Sequence, residues 1–211
     1  MFMGQPQVFG KKYSVKEYLE SEEKSEIRHE YYDGEIFAMA GTSMNHNEIV
    51  DNVRTLLKEF FRPKGCRVFA ENIKVEAVRN FYYPYPDVVV TCASEDINGT
   101  YVIKHPGILV EVLSKSSGTY DRELKLRRYK EIPSLKYYML VSQYDCYVEV
   151  YTRTDQERIW TYQSFDSPEA MINFELFGFS MPVAKVYQGI SFPEEEQRLF
   201  SEPIPRYSSV I

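Results

Sequence analysis

Two apolar runs in this chain each carry a single carboxylate. Asp87 opens the run Asp87-Val88-Val89-Val90 behind Pro86, and Glu111 sits inside Ile108-Leu109-Val110-Glu111-Val112-Leu113. Runs this rich in Val, Ile and Leu read as short strands buried on both faces. An ionised acid there is costly unless a cation meets it. A divalent cation such as Mg2+ would do so, because it takes hard oxygen ligands: one or two carboxylates, with substrate phosphate oxygens completing the set. Lys125, further along the chain, could orient or help deprotonate an attacking water and offset negative charge developing on a phosphate. Asp87, Glu111 and Lys125 together suit hydrolysis of a phosphodiester. Each also has a plainer reading. Asp87 can end a loop, Glu111 can be half of a structural salt bridge, and Lys125, four residues after Asp121, can form an ordinary ion pair on a solvated helix face.

Two more residues join the candidates. Asp33-Gly34 lies between two strand-like runs, a strong hairpin signal because both central turn positions need positive φ. Glu35 then begins the return strand on the face of Phe37 and Met39, so it is expected to point towards the core. His46 stands one turn before Ile49 and Val50 on an apolar helical stripe and is expected to face inward. The plain alternatives are a solvent-exposed acid after a turn and a structural histidine.

The elements that must position these groups follow from periodicity and punctuation. Ser14 is an N-cap for a helix over 16–23. A long helix is expected over 46–61, with Asn45 and Glu48 as a capping box and Pro63 and Gly65 at its end. A strand is expected over 67–78, an aromatic loop over 80–86, a strand over 87–90, a turn over 95–100 and a strand over 108–113. A Ser-rich turn at 114–119 leads to a helix over 121–132, closed by Pro133. Strands follow over 136–142, 147–152 and 158–162, and a last strand near Phe174. Residues 1–12 read as an arm, 13–192 as one domain and 193–211 as a polar tail. The pattern is α/β (α+β), with helices and strands mixed around one central sheet.

The net charge of -6 excludes coating nucleic acid by bulk charge. The densest basic stretch, Arg122, Lys125, Arg127, Arg128 and Lys130, is either a phosphate-facing patch or a solvated helix face. There is no Gly-rich phosphate loop, no G-x-S-x-G and no H-E-x-x-H, and His29, His46 and His105 have no zinc spacing. Cys66, Cys92 and Cys146 are far apart and are expected to be isolated thiols. No secretory signal pattern and no apolar run near the ~20 residues of a membrane helix is visible, so a soluble cytoplasmic protein is expected.

Taken in order, Tyr32-Asp33-Gly34-Glu35, the helix-opening His46, Pro86-Asp87-Val88-Val89-Val90, Pro106–Ser114 with Glu111, Asp121-x-x-x-Lys125-x-x-x-Tyr129 and Tyr137–Val141 resemble the "putative restriction endonuclease" family known as domain of unknown function 820. That family lies within the PD-(D/E)xK nuclease superfamily. The resemblance implies a restriction-endonuclease-like fold, a central mixed β-sheet flanked by helices. It implies a Mg2+-dependent endonuclease, with Mn2+ as a substitute, hydrolysing phosphodiester bonds of DNA. It matches Asp87 and Glu111 to the two motif acids and Glu35 and His46 to the upstream acid and histidine, giving Asp87, Glu111 and Glu35 as the metal ligands. The superfamily lysine follows the second acid by two residues, and here that position is Leu113. The resemblance points instead to Lys125, which shares a helical face with Asp121 and Tyr129. By analogy with the superfamily, a homodimer is expected. The alternative is a catalytically silent nuclease fold acting as a dimeric or DNA-associated interaction module.

Overall fold

The computed structural model describes residues 12–39, 41–114, 117–156 and 158–192. The expected arm, Lys12 apart, the expected tail and part of the Ser-rich turn lie outside them.

Ser14 and Glu17 cap helix α1 (Val15–Glu22) reciprocally. Strands β1 (His29–Tyr32) and β2 (Glu35–Ala38) form the expected hairpin, with positive φ at Asp33 (46°) and Gly34 (87°). Helix α2 (Met44–Phe61) begins two residues earlier than the sequence suggests, because Ser43 is its cap and accepts the His46 N–H. Asn45 instead donates its amide to the Ser191 carbonyl.

The strand expected over 67–78 is broken. Strand β3 (Arg67–Ala70) ends where Glu71 and Asn72 adopt left-handed φ of 48° and 53°. The chain then leaves the main sheet. Its next piece, β4 (Lys74–Val75), pairs in parallel with β7 (Val102–Ile103). The aromatic loop contains a two-residue strand, β5 (Tyr82–Tyr83), on the free edge of β1, and the turn near 95–100 begins as a single-turn helix, α3 (Ser94–Ile97).

The main sheet adds β6 (Val88–Thr91), β8 (Pro106–Leu113), β9 (Tyr137–Ser142), β10 (Val148–Arg153) and β11 (Trp160–Phe165), in the order β11-β10-β9-β8-β6-β3. Only β8 and β9 run parallel, so the sheet is mixed. The crossover between them is the helical stretch expected after the Ser-rich turn. It is built from α4 (Gly118–Tyr120), a π-helical turn at Asp121–Lys125 and α5 (Leu126–Tyr129).

Two apolar layers flank the sheet. On one face α2, the hairpin β12 (Met171–Phe174) and β13 (Phe179–Pro182), and α6 (Val183–Val186) pack on Val88, Val90, Val110, Val112, Met139 and Val141. On the other, Tyr82, Tyr129, Ile132 and Leu135 pack on Val89, Leu109, Leu113, Tyr138 and Leu140. Strand β8 is therefore buried on both sides, which is why its sequence is nearly unbroken hydrocarbon. By alternation Glu111 shares the second face with Leu109 and Leu113, and it is only 3% exposed. Among the described residues, no helix is long and apolar enough to cross a membrane.

Cys66 and Cys92 are not isolated thiols but a disulfide. The β3–β6 ladder ends at the pair Arg67 and Thr91, so the two cysteines face one another one step beyond it. Their 26-residue separation gives no hint of this in sequence. Cys146 is free. A thiol reagent should therefore count one thiol in the native protein and three after reduction. Reduction should lower the unfolding free energy in urea by roughly 2–4 kcal/mol; three thiols without reductant would contradict the pairing.

Candidate active site

The antiparallel register of β6 and β8 pairs Val88 with Val110, which sets Asp87, one residue before β6, across from Glu111. Asp87 is held at both oxygens. Its Oδ2 accepts the Val112 N–H at 2.6 Å, and its Oδ1 lies 3.1 Å from His46 Nε2. An ionised carboxylate only accepts, so this contact puts the imidazole proton on Nε2. The first turn of α2, fixed by its Ser43 cap, delivers His46 to that point.

Across the strand pair, Glu111 Oε1 accepts the Tyr129 hydroxyl at 2.8 Å and stands 3.0 Å from Lys125 Nζ. The lysine amine is also 3.1 Å from Asp121 Oδ1 and 3.4 Å from Glu30 Oε1. The π-turn falls at the residues concerned: the Leu126 N–H reaches back to the Asp121 carbonyl, the i→i+5 bond of a widened turn. Both Asp121 and Lys125 then face the sheet, buried at 1% and 6% exposure. The ordinary solvated helix pair is thus not what forms. Glu30, His46, Asp87, Glu111, Tyr120 and Lys125 line one cleft of about 790 Å³.

Three carboxylates around one ammonium leave negative charge in excess. Burial pushes the Glu111 carboxyl well above its ordinary range, and Asp121, Asp87 and Glu30 push it further while Lys125 opposes. Burial likewise raises Glu30, again against Lys125. For Lys125 burial acts downward, yet the carboxylates of Asp121, Glu111 and Glu30 outweigh it and hold the amine well above its ordinary value. Lys125 is therefore a cation throughout the neutral range.

Four of the five sequence candidates converge here: Asp87, Glu111, Lys125 and His46. Glu35 does not. It is exposed and forms the hairpin pair nearest the turn, opposite Tyr32, on the outer strand of the β2-β1-β5 sheet. It shares a strand face with Phe37, but it lies on the edge strand and is exposed. The acid that enters the cleft is Glu30, the cross-strand partner of the buried Phe37. A two-residue turn fixes that register, so an inward Phe37 implies an inward Glu30. That is the signal in the sequence which could have found it.

The basic stretch on the crossover does not line the cleft as a patch. Arg122 pairs with Glu149 at 2.6 Å, Arg128 donates to the Tyr32 hydroxyl, and Lys130 lies over the rings of Tyr151 and Trp160. Of the stretch, only Lys125 lines the cleft.

Among the described residues, no three His, Cys, Asp or Glu side chains stand together in metal-binding geometry; the acids close on Lys125 instead. In donor type and charge the set nonetheless fits a hard divalent cation: carboxylate oxygens from adjacent strands, with more negative charge than one lysine balances.

Residues 15–184 match the family model described as "Putative restriction endonuclease" (Uma2). Among curated proteins, the chain is 37% identical over 183 residues to the uncharacterized protein slr1290 of Synechocystis sp. (strain PCC 6803), covering 86% of this chain and 94% of that one. It is 30% identical over 163 residues to the uncharacterized protein sll1609 of the same organism, covering 76% and 92%. A crystal structure described as a putative nuclease of DUF820 from Anabaena variabilis superposes with a TM-score of 0.65 at 20% identity, over 82% of this chain and 97% of that one. The fold is thus the restriction-endonuclease-like one.

A group whose folded pKa is raised contributes stability in full below its unfolded value and loses it as pH climbs towards the folded value. For Glu111 that window opens near pH 4.5 and extends upward; for Lys125 it opens only above 10.5. In metal-free protein the unfolding free energy of wild type relative to Glu111→Gln should therefore fall between pH 5 and 8, by about 1.4 kcal/mol per unit of raised pKa. Urea melts in chelator at four pH values check this. A difference that rises with pH would show that Glu111 is not strained by ionisation.

Proposed function

The chain belongs to this family of restriction-endonuclease-like proteins, and we propose that it is a Mg2+-dependent endonuclease that hydrolyses phosphodiester bonds of DNA. One observation carries the reading. Lys125 comes from the crossover helix to within 3.0 Å of Glu111, on the strand position facing Asp87. It supplies the cation that Leu113 cannot, since that side chain is buried in the apolar layer with Tyr138 and Leu140.

Asp87 and Glu111 are the residues that would hold the divalent ion. When bound, such an ion lowers the pKa of a water and neutralises a phosphate oxygen. The chain's own groups divide the remaining work. Lys125, always protonated, cannot take a proton from water. Its role is to orient the nucleophile and to stabilise negative charge on the phosphate in the transition state. Glu30, with its carboxyl raised by burial, is the group suited to accept the proton of the attacking water. His46 holds Asp87, and the Tyr129 hydroxyl holds Glu111, each in one orientation.

The cleft lining also speaks to substrate entry. Glu26, Glu30, Glu71, Asp87 and Glu111 face Arg28 and Lys125, so the acids outnumber the cations. A nucleic-acid backbone should therefore bind weakly until a divalent ion is present. Cutting both strands of a duplex at once would take two copies, and light scattering at assay concentration tests for a dimer.

Purified protein should cleave DNA with Mg2+ or Mn2+ and not with chelator. Asp87→Ala and Lys125→Ala should each lower the rate by about 10²-fold or more. Glu30→Gln should also impair cleavage, while Glu35→Gln should stay within about twofold of wild type, given how far its surroundings differ from those of a buried group. Equal cleavage by wild type and Lys125→Ala would mean a contaminant and sink the assignment. Folded protein that neither binds a divalent ion nor cuts would favour the silent interaction module.

A further inference from the structure

The Lys125 amine stands within 3.4 Å of three carboxylates. Its side chain is 8% exposed. In this arrangement the amine lines the cleft but is held by the protein's own carboxylates. A lysine that is to act on a phosphate must give up one of these partners. Glu111 is the one with another claim on it, because it stands across from Asp87, where the divalent ion of the proposed function would sit.

The three acids are not equivalent in position. Glu30 and Glu111 line the cleft, whereas Asp121 is absent from its walls and only 1% exposed. Asp121 therefore touches neither substrate nor a cation held in the cleft. Its Oδ1 is buried and makes no hydrogen bond, so the 3.1 Å ion contact with Lys125 is what that oxygen has. Both groups belong to the same π-turn, so their separation is set by one stretch of backbone and not by the docking of separate elements.

We infer that Asp121 is a positioning residue: it retains Lys125, together with Glu30, when a divalent cation takes Glu111, so that cation binding turns one lysine N–H out of the cluster and towards the substrate. The inference rests on the metal site of the proposed function. It makes the cation and the ammonium competitors for Glu111, with Asp121 biasing the outcome. Losing Asp121 leaves the amine more dependent on Glu111 and so opposes cation binding, but only while Lys125 is present.

A double-mutant cycle on binding of Mn2+ alone, read by calorimetry without nucleic acid, separates this from a simple loss of charge. Asp121→Asn should weaken Mn2+ binding about tenfold in the wild-type background, and should change it by less than about twofold in the Lys125→Gln background. Equal weakening in both backgrounds would mean that Asp121 acts by its field alone, and would overturn the inference while leaving the nuclease reading intact. Absence of any Mn2+ binding to wild type would overturn both. Should Lys125→Gln fail to fold, solvent exchange of the Lys125 amine protons, followed by NMR during a Mg2+ titration, separates the same two possibilities. In wild type the amine should exchange faster with Mg2+ than without it, and in Asp121→Asn it should exchange faster still, with the difference between the two proteins greatest when Mg2+ is bound. Equal protection in the two proteins would refute the retaining role.

Discussion

The arrangement of this molecule turns on a charge imbalance kept out of water. One ammonium, on Lys125, is set among three carboxylates beneath a sheet face whose near neighbours include Leu109, Leu113 and Leu140. Buried charges of one sign are tolerated only while a counter-charge is within a few ångströms. This makes the contacts mutually dependent. Glu111 can remain in an apolar strand because Lys125 reaches it, and Lys125 can remain buried because Asp121 and Glu30 flank it. In the proposed function, acids in excess of the one lysine are what would draw a cation from solution.

Ordinary features of the fold bring the groups together. Strand register sets Asp87 across from Glu111. A helix cap aims His46 at Asp87. A widened helical turn brings Lys125, with Asp121 beside it, to Glu111 on β8. These devices work through backbone hydrogen bonding, and none relies on a long loop. Constellations built on regular elements hold their geometry better than those on loops, and here a parallel β8–β9 pair with its helical crossover supplies the rigid base.

Much of this is legible in the residues. The buried strands with their single acids, the Asp-Gly turn, the inward His46 and the migrated lysine all follow from period, punctuation and resemblance. What escapes does so for definite reasons. Face alternation followed along one strand favours Glu35 over Glu30, because it does not carry the register across the turn to its partner. The disulfide is hidden because 26 residues separate two cysteines that only the β3–β6 ladder brings opposite each other. The break at Glu71 and Asn72 is hidden because non-glycine residues in left-handed conformation leave no mark in hydrophobic pattern. The π-turn has no sequence signature of its own, and the burial of Asp121 follows from it.

The sheet also acts as a partition. On the α2 side the layer is apolar, and it meets the cleft at Val112 and, through Ser43 and His46, at the start of α2. Hydrocarbon layers accept exchanges of similar volume, so that half of the molecule can drift in sequence while its shape persists. On the crossover side each residue near Glu111 answers to charge as well as volume, and a change there must be matched by a neighbour. Two descendants of this chain could therefore differ widely in one half and hardly at all in the other, and still present the same cleft.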